Sequence, residues 1–157
     1  MAAMSRRKAS RKSGSKPSSN ALKSGRLLVV DDAEGIRTYL ANLLELHGYQ
    51  VDTAEDGRSA LALLEGGAAP DAVILDVMMP GIDGIETLRR IRDFEPDLPV
   101  VMLSVIGRAS TIVGAMQLGA VDYVNKPFDE AELEAILDRC VERRRRTRAR
   151  DEVLADA

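Results

Sequence analysis

The sequence predicts an α/β domain built on a doubly wound, five-stranded parallel sheet with helices on both faces. Two observations carry this reading. Short continuous apolar runs end abruptly in polar residues, the pattern of strands buried on both faces, and segments with helical apolar spacing separate them. A third observation, the distribution of charge, sets the limits of the folded part. Residues 1–26 hold 8 Lys/Arg and no acid, residues 27–138 hold 7 Lys/Arg against 21 Asp/Glu, and residues 139–157 hold 7 Arg against 4 acids. An acidic body therefore lies between two basic ends, although the formal net charge is only −3.

Residues 1–25 are rich in Ser, Lys, Arg, Gly and Pro. They hold too little apolar surface to offset the entropy of ordering, so a disordered basic tail is expected. Leu27-Leu28-Val29-Val30 is the first apolar run and ends in Asp31-Asp32. Ile36, Tyr39, Leu40, Leu43 and Leu44 follow at helical spacing and stop at His47-Gly48, a C-terminal cap. Residues 50–54 form a weaker strand candidate. Ala60, Leu61 and Leu64 mark a second helix that ends at Gly66-Gly67.

Val73-Ile74-Leu75 is the third strand and ends in Asp76; Ile85, Leu88 and Ile91 mark a helix that stops before Pro96. Val100-Val101-Met102-Leu103 ends in Ser104, and Ile112, Val113 and Met116 mark a fourth helix closed by Gly119. Gly107, in that helix's entry loop, reads as a hinge or as a simple turn. Residues 121–124 form a weaker fifth strand. Leu133, Ile136, Leu137, Cys140 and Val141 mark the last helix, with Asp129 as N-cap and Glu132 three positions on. Five β-α repeats imply a parallel sheet with right-handed crossovers. Ligands of such sheets sit at the carboxyl ends of the strands.

Several function classes are excluded or disfavoured. The single cysteine, Cys140, rules out an intramolecular disulfide and fits a reducing, cytoplasmic setting. No apolar run is long enough to span a bilayer, and the basic start lacks the apolar stretch of a secretory signal. With one histidine and one cysteine in the chain, a zinc site is disfavoured. His47 reads as structural.

Four strands end in chemically suggestive groups: Asp31 and Asp32, Asp76, Ser104, and Lys126. Gathered at one sheet edge, three carboxylates repel one another and invite a hard divalent cation, and Mg²⁺ suits so small a set better than Ca²⁺. A carboxylate beside Mg²⁺, a lysine and a hydroxyl is equipped to take a phosphoryl group onto itself. On this reading Asp76 attacks, Lys126 and the metal neutralise charge, and Ser104 binds a phosphoryl oxygen. Each of these residues alone also has an ordinary reading: a strand-end carboxylate, a helix cap for Asp31 or Asp32, a turn lysine. The combination is what points to chemistry.

LLVVDDAEGIRTYLANLLELHGYQVDTAEDG, DAVILDVMMPGIDGIETLRRIR, VVMLSVIG and GAVDYVNKPFDEAELEAIL together resemble a response-regulator receiver domain of the CheY-like superfamily. The intervals from Asp31 to Asp76, Ser104 and Lys126, which run 45, 28 and 22 residues in turn, agree with that family. The resemblance covers residues 26–143. It implies a flavodoxin-like sheet of order 2-1-3-4-5, and it makes Asp76 the phosphoacceptor. It further implies that Asp32 and Asp76 bind Mg²⁺ directly, with help from the Met78 backbone carbonyl, while Asp31 acts mainly through water. Lys126 would contact the phosphoryl group across a cis Lys126–Pro127 bond. Ser104 would turn inward on phosphorylation and Tyr123 would follow as the aromatic switch. Ser104 stands where Thr is more usual, a conservative departure.

The expected function is a two-component phosphorelay switch, fed by a histidine kinase or phosphotransfer protein and read by a protein partner. Enzyme activity beyond Mg²⁺-dependent self-phosphorylation and self-dephosphorylation is not expected. An aspartyl phosphatase would want a second acid where Met78 stands. The Arg143-Arg144-Arg145-Arg146 run, with Arg148 and Arg150, reads first as a solvated extension of the last helix over residues 144–157. It reads next as a nucleic-acid or anionic-surface contact, and third as a connector to an output domain. About ten residues follow the run, so a stand-alone receiver is expected; the alternative is receiver-gated nucleic-acid binding through the basic tails.

Overall fold

The computed structural model describes residues 25–79, 81–104 and 109–156. The predicted basic tail before Gly25 lies outside these residues, as do Ile106 and Gly107. Five strands alternate with five helices: β1 (Arg26–Val30), α1 (Glu34–Leu46), β2 (Gln50–Ala54), α2 (Gly57–Glu65), β3 (Ala72–Asp76), α3 (Gly84–Phe94), β4 (Val100–Ser104), α4 (Ala109–Gln117), β5 (Asp122–Asn125) and α5 (Glu130–Asp156). The strands pair in parallel in the order β2-β1-β3-β4-β5, as expected.

The strength of each strand's signal follows its place in the sheet. β3 and β4 are buried along their whole length, which is why both read as unbroken apolar runs. β2 is an edge strand with most of its residues exposed, and β5, at the other edge, begins one residue later than predicted. Alternate strand residues face opposite sides, so the core has two halves. Leu28, Val30, Val73, Leu75 and Met102 meet Leu61, Leu88, Ile91 and Ala115 of α2, α3 and α4. Leu27, Val29, Ile74, Val101 and Leu103 meet Leu40, Leu44, Leu133 and Leu137 of α1 and α5. Each fully buried aliphatic side chain contributes roughly 1.5–3 kcal/mol.

Helix ends follow the turn chemistry closely. Gly48, Gly67 and Gly119, which end α1, α2 and α4, all take positive φ. Asp56, Asp83 and Asp129 each accept the backbone N–H three residues on, at 2.7, 2.9 and 2.9 Å. α1 departs from the expectation that Asp31 or Asp32 caps it. Its N-cap is Ala33, with no side-chain cap, because the Asp31 carboxylate is held instead by the Ala33 N–H and by Lys126. His47 is structural, as read, but through α5: its ring lies 3.6 Å from Glu134 and 3.2 Å from Asp138.

The arginine run needs a larger correction. α5 continues unbroken for 27 residues, and part of the run is not solvated. Arg144 is buried and pairs with Glu95 at 2.9 Å. Arg148 pairs at 2.7 Å with Asp71, which is itself buried and also accepts the Arg26 N–H at 2.9 Å. Arg143, Arg145, Arg146 and Arg150 are exposed. No helix among the described residues is long and apolar enough to cross a membrane.

Candidate functional site

β1 and β3 are neighbours, and the chain leaves them toward opposite faces of the sheet, so a crevice opens beyond their carboxyl ends. Asp31 and Asp32 follow β1 and Asp76 ends β3, at that crevice. One carboxylate oxygen from each of the three lies within 4.8 Å of the others. Asp31 and Asp76 are buried, whereas Asp32 is exposed at the mouth. Lys126 follows β5 and reaches back, with Nζ 2.8 Å from Asp31 and 3.7 Å from Asp76.

The structure thus brings together the three aspartates and Lys126, with the ammonium nearer Asp31 than Asp76. Ser104 is buried at the end of β4, one residue beyond the partner of Asp76 in the sheet register, and its carbonyl accepts the Lys126 N–H at 2.6 Å. Tyr123 lies deeper, opposite Met102, on the same sheet face as Ser104. It packs on the α2–α3–α4 half of the core, and its hydroxyl is buried without a hydrogen-bond partner among the described residues. The Met78 N–H approaches the Asp76 carboxylate at 3.4 Å while the Met78 side chain is exposed. The Lys126–Pro127 bond is cis, as the resemblance implies.

Charge at this crevice is incompletely balanced. Burial, reinforced by the neighbouring Asp31 charge, pushes the Asp76 carboxyl up to about 6, and Lys126 offsets this only in part. A dication would relieve the same imbalance. Three convergent carboxylates, with one edge open at Asp32, match the few protein ligands and retained waters that Mg²⁺ takes.

Two positions escaped the sequence reading. Arg37 donates to the Asp31 carbonyl at 2.7 Å and braces the first loop; a single arginine in a helix carries no signal of this. Gly84 opens α3 so close to β3 that a Cβ there would collide with the Asp76 carbonyl and stand 2.7 Å from the Val77 Cα. Asp83-Gly84, a cap followed by the smallest residue, was the available clue.

The fold and the carboxylate crevice at the switch in strand order define a class: doubly wound α/β domains with an acidic, lysine-bearing site. The family model described as response regulator receiver domain matches residues 27–138. The chain belongs to this receiver family of two-component response regulators. It is 47% identical over 119 residues to "Probable transcriptional regulator ycf27" of Galdieria sulphuraria, covering 76% of this chain and 46% of that one. It is 46% identical over 110 residues to "Response regulator MprA" of Mycolicibacterium vanbaalenii, covering 70% and 47% respectively. The chain thus spans about half the length of these curated relatives. Among solved structures, the chemotaxis protein CheY4 of Vibrio cholerae is similar at TM-score 0.70 and 33% identity, over 74% of this chain and 98% of that one.

Proposed function

We propose that this receiver accepts a phosphoryl group on Asp76 from the phosphohistidine of a histidine kinase or phosphotransfer protein. An Asp76 carboxylate oxygen attacks phosphorus, the P–N bond breaks with its electron pair going to the donor nitrogen, and the imidazole leaves neutral with the proton already on its other ring nitrogen. The product is an acyl phosphate on Asp76. The observation that carries this reading is the buried Asp76 carboxylate, held 3.7 Å from an ammonium and beside two further carboxylates at the mouth of a strand-end crevice.

Asp31, Asp32, Asp76 and the Met78 carbonyl would hold Mg²⁺, which when bound supplies positive charge to the phosphoryl oxygens. Lys126 stabilises the same developing charge. Ser104 hydrogen-bonds a phosphoryl oxygen, and Tyr123, on the same sheet face, follows it as the switch. Phosphorylation then biases a two-state equilibrium of α4, β5 and α5, which a cytoplasmic protein partner reads. No catalytic turnover beyond self-phosphorylation and self-dephosphorylation is assigned.

The test is incubation with acetyl phosphate and Mg²⁺, followed by intact-mass measurement. The parent protein gains one phosphoryl group, and Asp76→Asn gains none. Equal labelling of the two proteins overturns the assignment.

A further inference from the structure

α5 carries a feature that phosphoryl relay does not use. At 100° per residue, Arg139, Arg143, Arg146 and Arg150 fall within about 60° of one another on the helix. All four are exposed, and they spread along roughly 16 Å of axis. The opposite face, with Leu137, Val141, Arg144 and Arg148, is the one docked on the domain. Among the described residues Arg139, Arg143 and Arg150 are in no ion pair; Arg146 pairs with the exposed Glu142 at 2.6 Å, a contact that exchanges readily in water. Asp122 shares a groove with Arg139 and Arg143.

Two further facts shape what this stripe can bind. The Arg144–Glu95 and Arg148–Asp71 pairs fasten the face of α5 opposite the stripe to the amino ends of the strands. Gly25, where the chain enters the described part, packs against Val141 and Asp71 at that same end. This half of α5 lies toward the opposite end of the sheet from the three aspartates.

We infer that the exposed α5 stripe of Arg139, Arg143, Arg146 and Arg150 is a docking surface for the phosphate backbone of a nucleic-acid duplex. Each strand of a duplex carries a phosphate for about every 3.4 Å of helix axis, so a stripe of this length can meet more than one of them. Guanidinium forks suit phosphate oxygens. The stripe contains no aromatic side chain, so it offers no platform for stacking the bases of a single strand. It carries no base-reading amides either, and recognition is through the backbone, independent of sequence. An anionic bilayer is the poorer fit, because among the described residues α5 exposes no large apolar side chains other than Val153 and Leu154.

The test titrates a fluorescent 25-base-pair duplex with the full chain from about 50 to 200 mM salt, against a variant carrying Gln at all four stripe positions. Arg145→Gln, exposed but off the stripe, is the control. The stripe variant is expected to bind at least tenfold more weakly at about 100 mM salt. Its slope of log affinity on log salt should be shallower by about 3 to 4, near 0.9 for each phosphate that is no longer neutralised. Asp76→Asn should bind as the parent does, which separates this result from the fate of the phosphoryl assignment. No duplex binding by the parent at 50 mM salt, or equal slopes for parent and stripe variant, overturns the inference. So does stripe-dependent binding to phosphatidylglycerol vesicles or polyglutamate that equals duplex binding at the same salt.

Discussion

The two ends of β3 each bury an aspartate, and they treat it in opposite ways. Asp71, at the amino end of β3, and Asp76, at its carboxyl end, are both 5% exposed. Asp71 receives a backbone N–H at 2.9 Å and a guanidinium nitrogen at 2.7 Å. Among the described residues, Asp76 has an N–H at 3.4 Å and an ammonium at 3.7 Å, with two further carboxylates beside it. Burial costs a charge the same solvation at either end, so the difference lies in what replaces the water. A satisfied aspartate locks the fold, whereas a less satisfied one keeps a charge that a further cation would stabilise.

The sharpest test of that contrast compares substitutions at the two positions. Asp71→Ala strands the Arg26 N–H and takes the partner from the half-exposed Arg148 guanidinium, and it should destabilise the protein by about 2 kcal/mol in urea unfolding. Asp71→Asn keeps an acceptor for the N–H and should cost less. A loss under about 1 kcal/mol for Asp71→Ala would break the comparison, because the amino end would then not be the fastened one.

Asp76→Asn should move stability the other way. The Asp76 carboxyl is raised from 3.8 to about 6 in the folded chain. Between those values the native state holds more protons than the unfolded chain, so stability falls as pH rises through this window. The penalty is absent below the lower value and complete above the upper one. In metal-free buffer at pH 7.5, Asp76→Asn should therefore be more stable than the parent, by on the order of 2 kcal/mol. The two proteins should converge near pH 4. Millimolar Mg²⁺ should raise the parent's melting temperature and leave the variant's nearly unchanged. A destabilised Asn variant at pH 7.5 without metal would mean that Asp76 is as well satisfied as Asp71.

The carboxyl end was far more legible in the sequence than the amino end, for a physical reason. β1, β3 and β4 are buried on both faces, so their apolar runs stop sharply, and Asp31, Asp76 and Ser104 stand out at the stops. Parallel packing then brings those stops to one edge whatever the loops do. The amino-end contacts have no such marker. Asp71 and Arg148 are 77 residues apart in the chain, and Arg144 sits in a run of four identical residues. Nothing in residue type separates the arginine that lays its stem on the core from its exposed neighbours. Only the helical phase does so, and Leu137, Val141, Arg144 and Arg148 keep the buried period once the helix is known to continue. The α1 cap failed for a related reason, since a strand-end Asp beside a helix looks like a cap until a lysine 95 residues away claims it.

The smallest expected effect concerns how far the mismatch at the carboxyl end extends along β5. Tyr123 lies three residues before Lys126, with a hydroxyl that is buried and unpartnered among the described residues. An unpaired buried hydroxyl costs about 1–3 kcal/mol, which the ring's packing on the core offsets. Tyr123→Phe keeps the ring and removes the group left without a partner. It should therefore raise stability by up to about 1 kcal/mol, read as a higher urea midpoint at constant slope. A loss of more than about 1 kcal/mol would show that the hydroxyl is hydrogen-bonded in solution, and the mismatch would then stop at Lys126. A gain places Tyr123 with Asp76 among the groups the fold tolerates rather than satisfies. In that case β5 carries unsatisfied polarity from the site toward the middle of the sheet, where a small change in charge at Asp76 has the most to act on.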